Sequence, residues 1–339
     1  MRDPEISVVA PVYGCAGCLD ALHQRVAAAL DEAGESWELV LVDDASPDGA
    51  WERIEQICAA DPRVRALRLS RNFGQHAAIT SGLEAARGRW VAVMDCDLQD
   101  PPEELPRLLE TAREGFDVVL TERDQRRQPL HRRVTGYAYL MIRNRLTGVK
   151  INPRHSTLSV ISRPVVDTFL RVGDRDRQYL MILHWLGFPT TTVMIAHRER
   201  GQGSSSYTFA KLLQVAVDGM FFQTTILLRW IVVLGFVLAM LGAAGTLALT
   251  IMYFVDRPLP GFTGLAALVL IIGGFTIVST GVIGLYVGKI FEQVKGRPLF
   301  VVARRLPAGE DLHVPVPDAA TAMSARPLGP HDVDDRGAA

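Results

Sequence analysis

Two aspartates one residue apart, Asp95 and Asp97, end the apolar run Trp90–Met94 within Val93-Met-Asp-Cys-Asp-Leu-Gln-Asp-Pro-Pro-Glu103. Hard carboxylate oxygens leaving a strand together suit Mg2+ or Mn2+ bound jointly with substrate phosphates, and the Gln99 amide oxygen can add to the set. By itself the triplet is as well explained by a solvated acidic turn, so its surroundings decide. A second acidic strand end, Asp43-Asp44, follows Trp37–Val42 and can accept hydrogen bonds from a base and a ribose. Arg123 and Arg200 can meet phosphates, while Asp48 is read as the cap of the helix that follows it.

The elements that must position these groups alternate. Apolar runs at Ile6–Tyr13, Trp37–Val42, Val64–Leu69, Trp90–Met94 and Phe116–Leu120 are separated by helical spacing over Leu19–Glu32, up to Cys58, up to Gly88 and over Glu103–Glu114. Such alternation predicts right-handed βαβ units and a Rossmann-like, mainly parallel α/β sheet whose ligands bind at the carboxyl ends of the strands. Thr157–Val166 and Pro189–Ile195 read as further strands around a helix at Leu180–Leu186, closing a catalytic domain over residues 1–208. A nucleotide diphosphate sugar would use this edge fully: a base and ribose pocket, a cation against the departing diphosphate, and arginines for the remaining charge.

Within and beyond that domain the chain changes character. Residues 126–150 carry Arg126, Arg127, Arg132, Arg133, Arg143, Arg145 and Lys150 with no acidic residue, interleaved with Tyr137, Tyr139, Leu140 and Ile142, as expected of a basic amphipathic segment on a lipid headgroup surface. Arg198 and Arg200 lie in a Gly- and Ser-rich cationic loop, and 209–225 reads as an interfacial helix. Two apolar runs, about 230–255 and 262–287, each exceed the roughly 20 residues that cross a bilayer and form an expected hairpin over 226–290. Cations flank the hairpin on both outer sides while its short connection carries one, which places the catalytic domain and both termini in the cytoplasm. Glycines at 235, 242, 245, 273, 274, 281 and 284 permit close helix contacts within the hairpin or between subunits of a homo-oligomer. The cytoplasmic tail, 291–339, is expected to be disordered after about residue 306.

With 339 residues and a net charge of −1, the chain has room for one large α/β domain plus an anchor and no bulk attraction for nucleic acid. Four cysteines are too few for a disulfide framework; Cys15 and Cys18 have Cys-x-x-Cys spacing but no further pair or histidine to complete a zinc site, and are expected as small buried thiols. His155, His184 and His197 are dispersed without metal-ligand spacing and are expected in packing or surface roles.

Five segments together resemble the family 2 glycosyltransferases of GT-A fold, in the polyprenyl-phosphate branch that includes dolichyl-phosphate mannose synthase and bacterial undecaprenyl-phosphate sugar transferases. They are Ser7–Tyr13, Val42–Asp48, Arg71–His76, Asp95–Glu103 and Gly284–Pro298. The resemblance implies that Pro11, Tyr13, Val42, Asp44, Asp95, Cys96 and Asp97 line the nucleotide, that Asp97 and Gln99 bind the metal, and that Arg123 and Arg200 are the donor-phosphate arginines. It also implies a membrane-anchored inverting transferase that moves a sugar from a UDP- or GDP-linked donor to an undecaprenyl-type polyprenyl phosphate for cell-envelope glycans. The chain departs from the family pattern at Gly14-Cys15, where Asn-Glu is usual, at Thr157-Leu158-Ser159, where Asp-Phe-Arg is frequent, at Ser206, where a basic residue is expected, and at Leu285, often Glu. Two alternatives stay open: a processive polysaccharide synthase, against which Gln223 stands at the wrong spacing from Arg229-Trp230, and an inactive membrane scaffold of the same fold.

Overall fold

In a computed structural model the described residues are 3–123, 155–175, 177–195, separate positions between 231 and 251, and 262–307. Eight strands form one sheet in the order β7-β5-β6-β4-β1-β2-β3-β8. They are β1 Ile6–Val12, β2 Trp37–Asp43, β3 Val64–Leu69, β4 Trp90–Val93, β5 Val118–Arg123, β6 His155–Ser162, β7 Thr190–Ile195 and β8 Val302–Leu306. The helices are α1 Leu19–Glu32, α2 Ala50–Ala60, α3 Gln75–Ala85, α4 Leu105–Arg113, α5 Arg163–Arg171, α6 Tyr179–Leu186 and α7 Phe262–Val294.

The sheet is mixed, with four of its seven pairings parallel. β1 pairs in parallel with β2 and β4, β2 with β3, and β5 with β7, but β6 runs antiparallel between β4 and β5, and β8 antiparallel to β3. The reason is connectivity: β6 enters from a segment after β5 rather than by a βαβ crossover. β1 to β5 nevertheless share one direction, so their carboxyl ends line one edge.

The central strands are buried on both faces, as parallel strands between helical layers must be. On one face Val8, Ala10, Leu39 and Leu41 meet the apolar stripes of α1 (Leu19, Leu22, Val26, Leu30) and α4 (Leu105, Leu108, Leu109, Ala112). On the other, Val9, Val40, Val42, Val91 and Val93 pack with α3, α5 and α6. α3 lies so close that a Cβ on Gly82 would stand 2.3 Å from Val9 Cγ1. At the amino edge a buried network closes the sheet: the Ser7 hydroxyl donates to Glu38 (2.6 Å), whose other oxygen pairs with Arg65 (3.2 Å).

Pro11 shapes the opposite edge. Val9 O accepts from Met94 N (3.0 Å), so alternation turns the nitrogen of Pro11 toward the same neighbour, just past the last bond. Having no N–H, Pro11 cannot prolong that ladder, and the β1–β4 pairing stops where Asp95 begins. Beyond this point the two strands are no longer paired.

α7 is longer than expected, running to Val294, and its stretch Ile272–Val294 is the one helix among the described residues long and apolar enough to cross a membrane. The first expected span, 230–255, lies largely outside the described residues; the positions within it that are described, from Ile231 to Ile251, are helical. Gly235 is among them, and a Cβ there would lie 3.5 Å from the Phe275 ring of α7. The carboxyl end of α7 is tied to the domain. The Arg175 guanidinium donates to Arg297 O (2.6 Å) and to Glu292 O, and Gln293 Nε2 donates to Gly173 O (2.9 Å). β8 then returns the chain to the sheet, an element absent from the sequence reading.

Candidate functional site

Tyr13, Asp43, Asp44 and Asp95 to Gln99 gather on the carboxyl edge because β1, β2 and β4 are neighbours in register, with Val12 beside Asp43 and Asp44 N donating to Val12 O (3.0 Å). Tyr13 projects with 54% of its surface exposed, whereas Val42 is fully buried against α3 and its side chain does not reach the edge. Pro11 is buried as well.

Asp43 is sealed at the end of β2. Its Oδ1 accepts Ser46 N–H (2.9 Å), and Arg68 Nε stands 3.2 Å from Oδ2 without hydrogen-bond geometry, leaving that oxygen with no hydrogen-bond partner among the described residues. Burial pushes its carboxyl above the ordinary aspartate range, against the Ser46 N–H and the Arg68 charge. Asp44 is differently used: its two oxygens accept the N–H groups of Phe73 (2.7 Å) and Gly74 (2.8 Å), and burial again outweighs these bonds and raises its pKa. It holds the Arg71–Gly74 loop, where Gly74 takes φ +96° before α3.

Asp48 is not the cap residue of α2, which is Gly49. Its carboxylate instead accepts Ala16 N–H (2.8 Å) and the Ser46 hydroxyl (2.7 Å), while Gly14 N–H donates to Ser46 Oγ (2.7 Å). Burial alone would raise the Asp48 pKa, but the bonds from Ala16 and Ser46, with backbone donors at its own position and Ala50, hold it below the usual value. The loops after β1 and β2 are thus laced together.

Asp95, Asp97 and Gln99 are half-buried in a turn whose Leu98 takes φ +59°. Asp95 Oδ1 accepts from Gln75 Nε2 (2.7 Å), Asp97 Oδ1 accepts Gln99 N–H (3.2 Å), and buried Asp100 accepts the Ser156 hydroxyl. Glu103, at the exit, is gripped by Arg25 of α1 in a two-pronged pair of 2.7 and 2.6 Å. No group of three or more His, Cys, Asp or Glu among the described residues could enclose an ion. Two carboxylates and an amide oxygen fit the other regime, a hard cation that arrives with phosphate oxygens and keeps water.

Cys96 corrects the expectation of free thiols. It forms a disulfide with Cys15, with a Cα separation of 6.6 Å, and only Cys18 and Cys58 are free. The partners lie 81 residues apart in sequence, and only the meeting of the β1 and β4 ends brings them together. The thiol of Cys58 is pushed up to about 11 by burial, so it is inert.

Arg123 closes β5 beside Ile195 of β7, with its backbone at the same edge. Arg126, Arg127, Arg132, Arg133, Arg198 and Arg200 lie outside the described residues, as do 209–225 and His197. His155 and His184, read as dispersed, stack at 5.4 Å; burial lowers the His155 pKa, and the neighbouring His184 adds to the shift. Sequence reasoning also missed a cavity of ≈ 160 Å3 beside Asp95, lined by Gln75, His76, Ile79, Thr157, Gln178 and Tyr179. Its signal was the Arg71–His76 segment, which opens α3 toward the edge. Tyr179 is fully buried in its wall, bonded to Ser159 Oγ at 2.9 Å, and burial raises its pKa.

Residues 7–170 match the family described as glycosyl transferase family 2. An undecaprenyl-phosphate 4-deoxy-4-formamido-L-arabinose transferase of Pseudomonas fluorescens is 34% identical over 305 residues, covering 89% of this chain and 89% of that protein. The protein of the same name from Salmonella enteritidis is 33% identical, covering 88% and 92%, and an uncharacterized glycosyltransferase of Synechocystis is 31% identical, covering 88% and 95%. Among solved structures, the mannosyltransferase PcManGT from Pyrobaculum calidifontis in complex with GDP-Man and Mn2+ aligns with 86% of this chain and 88% of its own, at 17% identity and a TM-score of 0.43. A likeness that slight carries no argument about ligands.

Proposed function

Since the chain belongs to glycosyl transferase family 2, we propose that it transfers a sugar, with inversion, from a UDP- or GDP-linked donor to an undecaprenyl-type polyprenyl phosphate at the cytoplasmic face of the cell membrane. The extent of the likeness to the Pseudomonas transferase supports this most: 34% identity over 89% of this chain and 89% of that protein. In this reading residues 1–208 with β8 form the catalytic domain, 209–225 lies in the interface, and 226–290 is the anchoring hairpin.

Asp43 and Asp44 receive the base and ribose beside Tyr13 and the backbone of Pro11, Val42 and Cys96. Asp97 and Gln99, aided by Asp95, would hold Mg2+ or Mn2+; the cation, when bound, neutralises charge on the departing diphosphate. Gln75 keeps Asp95 turned to the edge. Arg123 and Arg200 would meet the donor phosphates, and Arg126, Arg127, Arg132, Arg133 and Arg198 would bring the anionic lipid headgroup to this edge. A phosphate monoester has a second pKa near ~6, so its oxygen is already an anionic nucleophile at neutral pH and needs no general base from the chain.

The test is product mass: the purified full chain in detergent with undecaprenyl phosphate, Mn2+ and a panel of UDP- and GDP-sugars. One donor is expected to yield a lipid heavier by one glycosyl group. No glycosyl lipid with any donor, under conditions where a known family member turns over, would overturn the proposal.

A further inference from the structure

We infer that the Cys15–Cys96 pair is a reversible redox modification site whose state sets the order of the Asp95–Asp100 turn. Cys96 sits between the two aspartates, yet it is only 7% exposed and belongs to the core formed with α1 and α4, against which Cys15 is packed. The crosslink therefore holds the turn from beneath, on the side away from Asp95 and Asp97. Regular pairing to β1 ends at Met94. From there to Asp100 the turn contains Leu98 in the left-handed region, which an L-residue rarely adopts. A covalent tie at its second residue keeps that conformation populated.

The two sulfurs differ in access, since Cys15 is half-buried and Cys96 buried. A thiolate from a small dithiol attacks Cys15 Sγ; the S–S bond breaks and Cys96 leaves as a thiolate that takes a proton. The second thiol of the reductant then attacks the mixed disulfide, releasing Cys15 as a thiol and the reductant as its own disulfide. Two electrons and two protons have entered the protein, and a small disulfide reverses the sequence. On the cytoplasmic placement proposed above this disulfide faces a reducing compartment, where such bonds are more often sensors than staples. The consequence for donor binding rests on the reading of Asp95–Gln99 as the donor and metal edge.

The experiment uses the full chain in detergent with Cys18→Ser and Cys58→Ser, so that only this pair can react. Peptide mapping should find the 15–96 linked peptide after oxidised glutathione and lose it after dithiothreitol. Amide hydrogen exchange across 95–100 should be faster in the reduced protein, and Cys15→Ser should show the fast exchange whatever the redox state. Mn2+-dependent binding of UDP or GDP should weaken on reduction by on the order of fivefold or more. Failure to form the linked peptide, or equal exchange across 95–100 in both states, would overturn the inference. Exchange that responds while neither nucleotide binds in either state would support the redox site and overturn the donor reading instead.

Discussion

Asp97 carries the sharpest expectation at the scale of single residues. Replacing it by Asn removes a negative ligand at nearly constant volume, so turnover at saturating Mn2+ should fall by on the order of 10²-fold or more if a cation stabilises the leaving diphosphate; near wild-type turnover would remove Asp97 from the metal site. Its neighbours Asp43 and Asp44 were legible as acidic strand ends, but their division of labour was not. The pattern Asp-Asp says nothing about which carboxylate meets Phe73 and Gly74 and which keeps an unmatched buried oxygen. That depends on a loop 29 residues away. Likewise the Cys15–Cys96 bond was hidden by a separation of 81 residues, although each cysteine was plainly beside a strand end.

Among the elements, α1 to α4, α6 and the first five strands follow from periodicity, α1 spanning Leu19–Glu32 as its apolar spacing requires, whereas the strand expected over Thr157–Val166 ends at Ser162 and the chain turns at Arg163-Pro164 into α5, which was not foreseen. β6 and β8 escaped assignment of direction or existence, because strand polarity is a property of connections and β8 is five residues long with two adjacent arginines. Polar ties between elements are equally invisible in sequence, and one gives a pH test. Asp61, after α2, bonds Arg63 before β3 and His23 of α1. The Arg63 hydrogen bonds are the largest cause holding its carboxyl well below the usual range, so the fold favours the ionised form. That stability is present above the unfolded aspartate pKa of about 3.9 and is lost as pH falls below it toward the lowered value. Asp61→Asn should therefore lower the melting temperature at pH 7, with the gap to wild type shrinking below about pH 4. A gap that stays constant to pH 3 would contradict the sign.

At the scale of the whole molecule, the ties of Arg175 and Gln293 to the end of α7, and the return of β8 to β3, fasten the carboxyl end of the apolar helix to the domain. If α7 spans a bilayer, its amino end lies on the far side. A cysteine at Thr263, in a background without native cysteines, is expected to react with an impermeant thiol reagent outside intact cells, and one at Ser205 is not; the reverse labelling would overturn the cytoplasmic placement of the catalytic edge. The hydrophobic length of this anchor was legible, as runs of apolar residues always are, whereas its docking to the domain rests on side chains with no sequence signature. The proposed function makes this the edge that holds a nucleotide sugar against an anionic lipid. The most direct measurement compares two acceptors that differ only in the phosphate, undecaprenyl phosphate and undecaprenol, with the same donor, metal and enzyme. Transfer is expected to the phosphate alone, declining on the acid side as the monoester is protonated around pH ~6. Efficient transfer to undecaprenol, with undecaprenyl phosphate inert, would contradict it.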